Sequence, residues 1–152
     1  ADVSQPLISS PIIRGVHFTG SIPVGKQLTA LAAAGMKRTT MELGGHAPVL
    51  GFDDAAVESA LGLAATSKFR NAGQVCVSPT RFYVHESIYE KFAQGFAARA
   101  RSWPVGNGLE AGIKMGPLAH DRPRPAVPAV IGEAATTGAG KPAGGGARAG
   151  QG

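Results

Sequence analysis

The sequence predicts an α/β protein in which strands alternate with helices and pair largely in parallel. Three features support this fold class: short apolar runs rich in β-favouring residues, amphipathic helical patterns between them, and glycine-containing turns where the two meet. With 152 residues, of which 43% are hydrophobic, the chain is long enough to bury a core.

The first strand–helix–strand unit precedes a pair of glycines. A strand at 16–18 leads into a turn, and a helix follows over about 23–35, with Ser21 suited to its N-cap and Gly35 to its end. One face of this helix is predicted to be apolar: Val24, Leu28 and Leu31. The next strand covers 39–43 and ends at the two glycines.

The second unit starts with a strand over 48–52. Asp53 and Asp54 are predicted to cap a helix that continues to about Phe69. Its apolar stripe comprises Val57, Leu61, Ala64 and Ala65. A loop at 71–73 ends this part of the chain.

A strand over 80–85 and an amphipathic helix to about Arg101 complete the unit. Apolar residues recur along this helix at spacings of four: Ile88, Phe92 and Phe96. Downstream we expect turns at 105–108 and 115–118, and then a helix over 126–137.

The composition argues against several classes of function. No apolar run approaches the roughly 20 residues that a membrane span needs. The net charge of +5 has no basic–aromatic platform with it, so nucleic-acid binding is not expected. A single cysteine excludes an internal disulfide and fits a reducing compartment, so we expect a cytoplasmic protein.

The two ends of the sequence lack the features of a complete protein. There is no initiator methionine, and the last stretch is rich in glycine without a closing element. We therefore expect the chain to be the central fragment of a larger protein, with no targeting information at residue 1.

Cys76 is the first candidate for chemistry, since it is the only cysteine. It follows the glycine-containing loop Asn71-Ala72-Gly73 and precedes a strand, so backbone amides beside it could stabilise an oxyanion. A thiolate at this position would be a nucleophile, whereas a buried thiol would only fill the core. The local sequence leaves both interpretations open.

Glu42 and Arg70 are charged residues whose positions also suggest chemistry. Glu42 lies between Met41 and Leu43 and before two glycines, so its carboxylate is expected in an apolar, partly dry site suited to a general base. Arg70 precedes the cysteine by six residues and could clamp a substrate carboxylate bidentately. Each could equally be an ordinary surface residue at the end of an element.

Residues 18–25 form a strand-to-helix turn whose free N–H groups could bind a pyrophosphate. The segment is not a G-x-G-x-x-G fingerprint, and an ordinary capped helix start would have the same pattern.

The histidines do not indicate a metal site. His17, His46, His85 and His120 show no ligand spacing, and one cysteine cannot make a zinc site, so we expect no metal. A Cys–His hydrolase would need one of them as the partner of the thiol, and the sequence singles out none.

Three segments in the same order and spacing resemble motifs of the aldehyde dehydrogenase superfamily. Residues 18–21 with Gly25 are similar to its cofactor-phosphate motif, 41–45 to its glutamate motif, and 71–76 to its cysteine motif. The resemblance implies a fragment of the aldehyde dehydrogenase fold: the end of its cofactor-binding domain and the first part of its catalytic domain.

The resemblance implies three parts of the chain. Residues 1–44 would be the C-terminal part of an NAD(P)-binding domain, 45–137 the N-terminal part of a catalytic domain, and 138–152 a Gly-rich truncated end. The parent enzyme would be a homo-oligomer that uses NAD or NADP and acts on a small aldehyde.

The resemblance also implies a role for each candidate residue. Cys76 would be the nucleophile that forms a thioester, and Glu42 the base that activates the hydrolytic water. The cofactor would contact Gly20 and Ser21 through its pyrophosphate, Val24 through its adenine and Leu43 through its nicotinamide. Gly25 would belong to the same cofactor-binding motif.

Within the superfamily, residues 52–55 and 68–74 are most similar to the succinate-semialdehyde dehydrogenases. An arginine at the position of Arg70 contacts the distal carboxylate of the substrate in that group, which implies succinate semialdehyde or a similar ω-oxo acid. Ser78 stands where some members carry a second cysteine, so a disulfide switch is excluded. The isolated chain is expected to be inactive; the alternatives are a broad-specificity aldehyde dehydrogenase and a non-catalytic remnant.

Overall fold

The computed structural model describes residues 3–118, 126–138, 140, 143 and 144, and it confirms the predicted α/β fold with parallel strands. The chain divides into a first unit that ends at His46 and a second that begins at Ala47. Most of the predicted Gly-rich end, and His120, lie outside the described residues.

The first unit contains one parallel strand–helix–strand motif preceded by a short helix. Its elements are α1 (Ser4–Ser9), β1 (Gly15–Gly20), α2 (Ile22–Ala33) and β2 (Arg38–Leu43). Strands β1 and β2 pair in register from Gly15 opposite Arg38 to Gly20 opposite Leu43. The helix between them makes the crossover that a parallel pair requires.

The buried face of α2 differs from the predicted one. Gly25 and Ala32 are buried, whereas Val24 and Leu31 are 40% and 37% exposed. The cause is a close approach of the helix to β2: a Cβ atom at Gly25 would lie only 2.7 Å from a methyl group of Leu43. Small residues therefore form the contact, and the larger ones flank it.

The end of α2 also lies slightly away from the predicted position. The helix ends at Ala33, and the residue in the left-handed conformation is Met36, with φ 50°, not Gly35. The N–H of Met36 donates to Ala33 O at 3.0 Å, and that of Lys37 donates to Ala32 O at 3.1 Å. These two bonds satisfy the last carbonyls of the helix in a Schellman arrangement.

The second unit repeats the strand–helix–strand pattern and adds two helices. Its elements are β3 (Ala47–Gly51), α3 (Val57–Phe69), a 3₁₀ turn (Arg70–Gly73), β4 (Pro79–Val84), α4 (Glu86–Arg101) and α5 (Ala126–Thr136). Strands β3 and β4 pair in parallel, with a register irregularity between Ala47 and Pro48. Between the last two helices, Val105 and Met115 form an isolated bridge.

The prediction that Asp53 and Asp54 cap α3 is wrong. The two residues lie in a turn closed by a 3.1 Å hydrogen bond from the N–H of Ala55 to Phe52 O. The helix begins later, after Ala56, which offers no capping side chain. The aspartates are therefore used in the connection from β3, and Glu58 is the acidic residue in the first turn of the helix.

The core of the second unit lies where α3 and α4 cover the β3–β4 pair. The predicted stripe of α3 is confirmed: Val57, Leu61, Ala64 and Ala65 are all buried. Phe92 of α4 completes the buried cluster, with Phe82 and Phe96 packed against it. A Cβ atom at Gly95 would lie 2.5 Å from a Leu61 methyl, so this glycine allows the two helices to approach closely.

No helix in the described ranges is long and apolar enough to cross a membrane. Within the same ranges, no three His, Cys, Asp or Glu side chains are grouped closely enough to hold a metal ion.

Candidate active site

In the first unit, the candidate residues meet at the carboxyl edge of the β1–β2 pair. Thr19 lies opposite Glu42, and Gly20 lies opposite Leu43. The predicted phosphate turn and the predicted glutamate motif are therefore neighbours, although Thr19 and Glu42 are 23 positions apart in sequence. In open parallel sheets, the carboxyl edge is where ligands bind.

The start of α2 has the features of an anion site. Ser21 occupies the N-cap position in extended backbone, but its side chain makes no capping hydrogen bond. The first turn contains no acidic residue, and the first helical bond runs from Gly25 N–H to Ser21 O at 2.9 Å. The Ser21 hydroxyl and the N–H groups of Ile22 and Val24 are thus free to bind a pyrophosphate, as the N-terminus of a helix favours, whereas Pro23 has no N–H.

The other predicted cofactor contacts have clear structural positions. Leu43 is half-buried and packs against Gly25, so this pair fixes the distance between α2 and β2. Val24 is 40% exposed in the first turn of the helix. Gly25 therefore has a packing role of its own, and its contribution to cofactor binding stays a prediction.

Glu42 is exposed at the end of β2. The expectation that it lies in an apolar, partly dry site is wrong for the described residues, because the neighbouring side chains do not enclose the carboxylate. The sequence pattern was misleading since Met41 and Leu43 point away from Glu42, as successive residues of a strand do. Water can therefore reach the carboxylate, which its proposed role requires.

Cys76 is exposed, in a turn between the 3₁₀ segment and β4. The N–H of Ser78 donates to Val75 O at 2.9 Å and closes the turn, so Cys76 and Val77 occupy its tip. Val77 is 68% exposed. The interpretation of Cys76 as a core residue is therefore wrong, and the thiol is open to a reactant.

The segment just before this turn has an unusual backbone. Asn71, Ala72 and Gly73 all have positive φ, at 50°, 55° and 74°. Asn71 and Gln74 then bind each other: the amide of Asn71 donates to Gln74 O at 3.2 Å, and the amide of Gln74 donates to Asn71 O at 3.2 Å. Sequence reasoning identified a loop here but not this pair; the tolerance of asparagine for the left-handed region was the available signal.

Ser78 anchors the other end of the Cys76 turn. It is 4% exposed, and its hydroxyl has no hydrogen-bond partner among the described residues. A Cβ atom at Gly73 would lie 3.9 Å from that hydroxyl and 3.3 Å from Lys68 O. The 3₁₀ segment therefore lies tightly between the end of α3 and the start of β4.

Arg70 follows α3 directly and begins the 3₁₀ segment. It is exposed, and no hydrogen bond or ion pair joins it to another described residue. Its neighbour Phe69 is fixed between two rings, with centroids 5.7 Å from Phe96 and 5.3 Å from Trp103. The exposed guanidinium group of Arg70 thus follows a phenylalanine that is packed against two rings, six residues before the thiol.

The described residues give no support to a Cys–His hydrolase. Within the described residues of the second unit, no hydrogen bond joins Cys76 to His85. In the second unit, His85 uses Nδ1 at the start of α4, where it lies 2.8 Å from Ser87 Oγ and accepts from Ser87 N–H at 3.3 Å.

Comparison with known proteins agrees with this arrangement of motifs. The family model described as "Aldehyde dehydrogenase family" matches residues 1–152. A putative 4-(hydroxymethyl)benzenesulfonate dehydrogenase from Comamonas testosteroni is 48% identical over 139 residues, which cover 91% of this chain and 29% of that protein.

Two further relatives and one solved structure show the same likeness. The succinate semialdehyde dehydrogenase of Acinetobacter baylyi is 48% identical over 118 residues (78% of this chain, 24% of the relative). The 3-sulfolactaldehyde dehydrogenase of Pseudomonas putida is 48% identical over 116 residues (76% and 24%). The structure of Staphylococcus aureus betaine aldehyde dehydrogenase with NAD⁺ matches with a TM-score of 0.89 at 32% identity, over 97% of this chain and 29% of that one. The chain thus spans less than a third of the length of these proteins.

Proposed function

Because the chain belongs to the aldehyde dehydrogenase family, we propose that the whole enzyme oxidises a small aldehyde with a distal anionic group to the carboxylate, with NAD or NADP and through a thioester on Cys76. Succinate semialdehyde is the preferred substrate. The observation that carries the proposal is the exposed thiol at the tip of the Val75–Ser78 turn, with the unpaired Arg70 on the segment that leads into it.

The chemistry of the relatives supports the substrate class. Their names include a succinate semialdehyde, a sulfolactaldehyde and a substituted benzenesulfonate. These molecules share an anionic oxyacid group remote from the reacting carbon. A guanidinium group binds either a carboxylate or a sulfonate through two parallel hydrogen bonds, so Arg70 suits the whole class.

Cys76 performs the first bond formation. Its thiolate adds to the aldehyde carbon and forms a C–S bond, while the carbonyl electron pair moves to oxygen. The N–H of Cys76 makes no hydrogen bond to the described residues, so it can donate to that oxyanion. Loss of hydride from the same carbon leaves a thioester.

Glu42 performs the second half of the reaction. Its carboxylate takes a proton from a water molecule, which attacks the thioester carbon. The C–S bond then breaks, and the carboxylic acid and the thiolate are released. The exposure of Glu42 is compatible with this role, because the base must reach solvent water.

NAD or NADP, when bound, supplies the hydride acceptor. The residues that would hold its pyrophosphate are Gly20, Ser21 and the first amides of α2, which fit because no side chain of the described residues caps them. We place Val24 at the adenine and Leu43 at the nicotinamide. Gly25 would support this site through its packing contact with Leu43.

We assign residues 1–44 to the cofactor-binding domain and 45–137 to the catalytic domain of a homo-oligomeric, cytoplasmic enzyme. The chain by itself is proposed to be inactive, since it spans less than a third of the length of its relatives.

A chimeric enzyme tests the proposal. This chain replaces the matching segment of the Acinetobacter baylyi succinate semialdehyde dehydrogenase, and reduction of NAD and of NADP is followed with succinate semialdehyde. We expect activity in the chimera, loss of it on Cys76→Ser, a large fall in kcat on Glu42→Gln, and none in the isolated chain. Activity that survives Cys76→Ser would refute the thioester route.

A further inference from the structure

We propose that Asn71 and Gln74 are positioning residues: their reciprocal hydrogen bonds hold a left-handed backbone turn that sets the place of Cys76. The inference rests on the proposed function, in which Cys76 is the nucleophile. We call the two side chains and their hydrogen bonds the Asn71–Gln74 clasp.

The turn that the clasp holds is strained. Asn71 and Ala72 both have side chains and lie in the left-handed region, with φ, ψ of 50°, 39° and 55°, 29°. Each such residue costs about 1–2 kcal/mol relative to the right-handed region. Gly73 continues the same conformation with φ 74°. Backbone of this kind persists only where surrounding contacts fix it, and it concentrates at functional sites.

Three hydrogen bonds fix the turn. The backbone N–H of Gln74 donates to Asn71 O at 3.0 Å, and the two side-chain amides add the reciprocal pair at 3.2 Å. Each side chain therefore binds the backbone of the other residue. Asn71 also tolerates the left-handed region better than most residues do.

The clasp does not belong to the core. Asn71 and Gln74 are both exposed, and exposed hydrogen bonds of this type add little net stability, about 0.5–1.5 kcal/mol each. That gain is similar in size to the strain. The clasp thus decides the path of the chain more than the stability of the fold.

The chain segment that the clasp fixes lies directly before the turn that contains Cys76. One residue after the clasp, Val75 O accepts from Ser78 N–H and opens the turn that presents the thiol. On the far side, buried Ser78 fixes the chain to the start of β4. The thiol is therefore held between two fixed points, and only the clasp is made of exposed side chains that can be changed without opening the core.

Spin labelling of the 152-residue chain tests the proposal without added cysteines. A nitroxide on Cys76, the single thiol, reports the mobility of the turn. Asn71→Gly removes the amide but keeps the left-handed conformation accessible, and Gln74→Met keeps the length of the side chain without its hydrogen bonds. Matched controls are Asn107→Gly, which removes an acceptor for Leu109 N–H, and Gln94→Met, which removes a bond to Glu90.

We expect a restricted spectrum in the unmodified chain and a shift toward fast motion in each clasp variant. The double variant should shift at least as far as either single one, because each single substitution leaves one of the two side-chain bonds in place. The controls should leave the spectrum unchanged. Unchanged spectra in both clasp variants, or equal shifts in the controls, would overturn the clasp. Thermal unfolding of each variant identifies one that has lost its fold.

The chimeric enzyme supplies the catalytic readout. Gln74→Met should lower kcat roughly ten- to a hundredfold with little change in KM, since misplacement of a reacting group by about 1 Å has costs of that order. A mobile label with unchanged kcat would refute the positioning role while the proposed function stands. Activity that survives Cys76→Ser would refute the proposed function, and the spectra would still decide whether the clasp holds the turn.

Discussion

At the scale of single residues, the structure decides between interpretations that the sequence left open. The sequence allowed Cys76 to be either a buried core residue or a nucleophile. Its exposed position at the tip of a turn favours the nucleophile. For Glu42 the structure contradicts the prediction, since the carboxylate is exposed and the predicted dry site is not formed. Burial depends on what covers a residue from elsewhere in the chain, which local sequence does not contain.

Arg70 carries the prediction about substrate selectivity. In the chimeric enzyme, Arg70→Ala should lower kcat/KM for succinate semialdehyde by roughly 10- to 100-fold, since a hydrogen bond to a charged group is worth about 1.5–3 kcal/mol. An uncharged aldehyde of similar length should be oxidised as before. Arg70→Lys should retain part of the selectivity, because it keeps the charge but not the bidentate geometry.

Arg81 provides the control for a change in net charge. It is an exposed arginine of β4 to which the proposal gives no role in substrate binding, and Arg81→Ala should leave the ratio of the two activities unchanged. Equal losses on both aldehydes in Arg70→Ala would instead favour a broad-specificity enzyme.

At the scale of elements, the alternation of strands and helices could be predicted from the sequence because each element has a clear period. The stripe of α3 was predicted correctly, since Val57 and Leu61 mark its buried face at helical spacing. The buried face of α2 was predicted wrongly, because Gly25 makes the close approach to β2 and a hydrophobic pattern does not identify a glycine as a core position. The capping error at Asp53 and Asp54 arose because residues that favour an N-cap also favour a turn.

Two helical glycines of the second unit give a matched test of this packing. A Cβ atom at Gly95 would meet Leu61 at 2.5 Å, whereas one at Gly62 of α3 would meet nothing within 4 Å. Gly62→Ala should raise the free energy of unfolding by about 0.5–1 kcal/mol, as helix propensity predicts. For Gly95→Ala, overpacking costs about 1–3 kcal/mol, so we expect a net loss of roughly 1 kcal/mol.

Chemical denaturation of the two variants beside the parent chain measures both effects. Stabilisation by both substitutions would show that α3 and α4 do not approach as closely at Gly95 as the packing indicates.

At the scale of the whole molecule, the chain is two parallel strand–helix–strand units, each with its own part of the proposed chemistry. The second unit also has an apolar groove of about 690 Å³. Its lining includes Phe69, Phe82, Tyr89, Phe92 and Phe96. The relatives are more than three times as long as the segment that they share with this chain, and we expect a whole enzyme to cover such a surface.

The choice of substrate and the choice of cofactor both depend on groups of the whole enzyme. The motifs identify the family, and Arg70 suggests a distal anion, but the choice between NAD and NADP depends on groups that contact the adenosine ribose. The match with an NAD⁺ complex supports a nicotinamide cofactor without separating the two.

The most direct test of the central claim is the detection of a substrate acyl group on Cys76. The chimeric enzyme is mixed with succinate semialdehyde and cofactor, quenched in acid during turnover, and digested for mass spectrometry. We predict a succinyl thioester on the peptide that contains Cys76, and none without cofactor or after Cys76→Ser. An active enzyme whose Cys76 peptide stays unmodified through turnover would contradict the account.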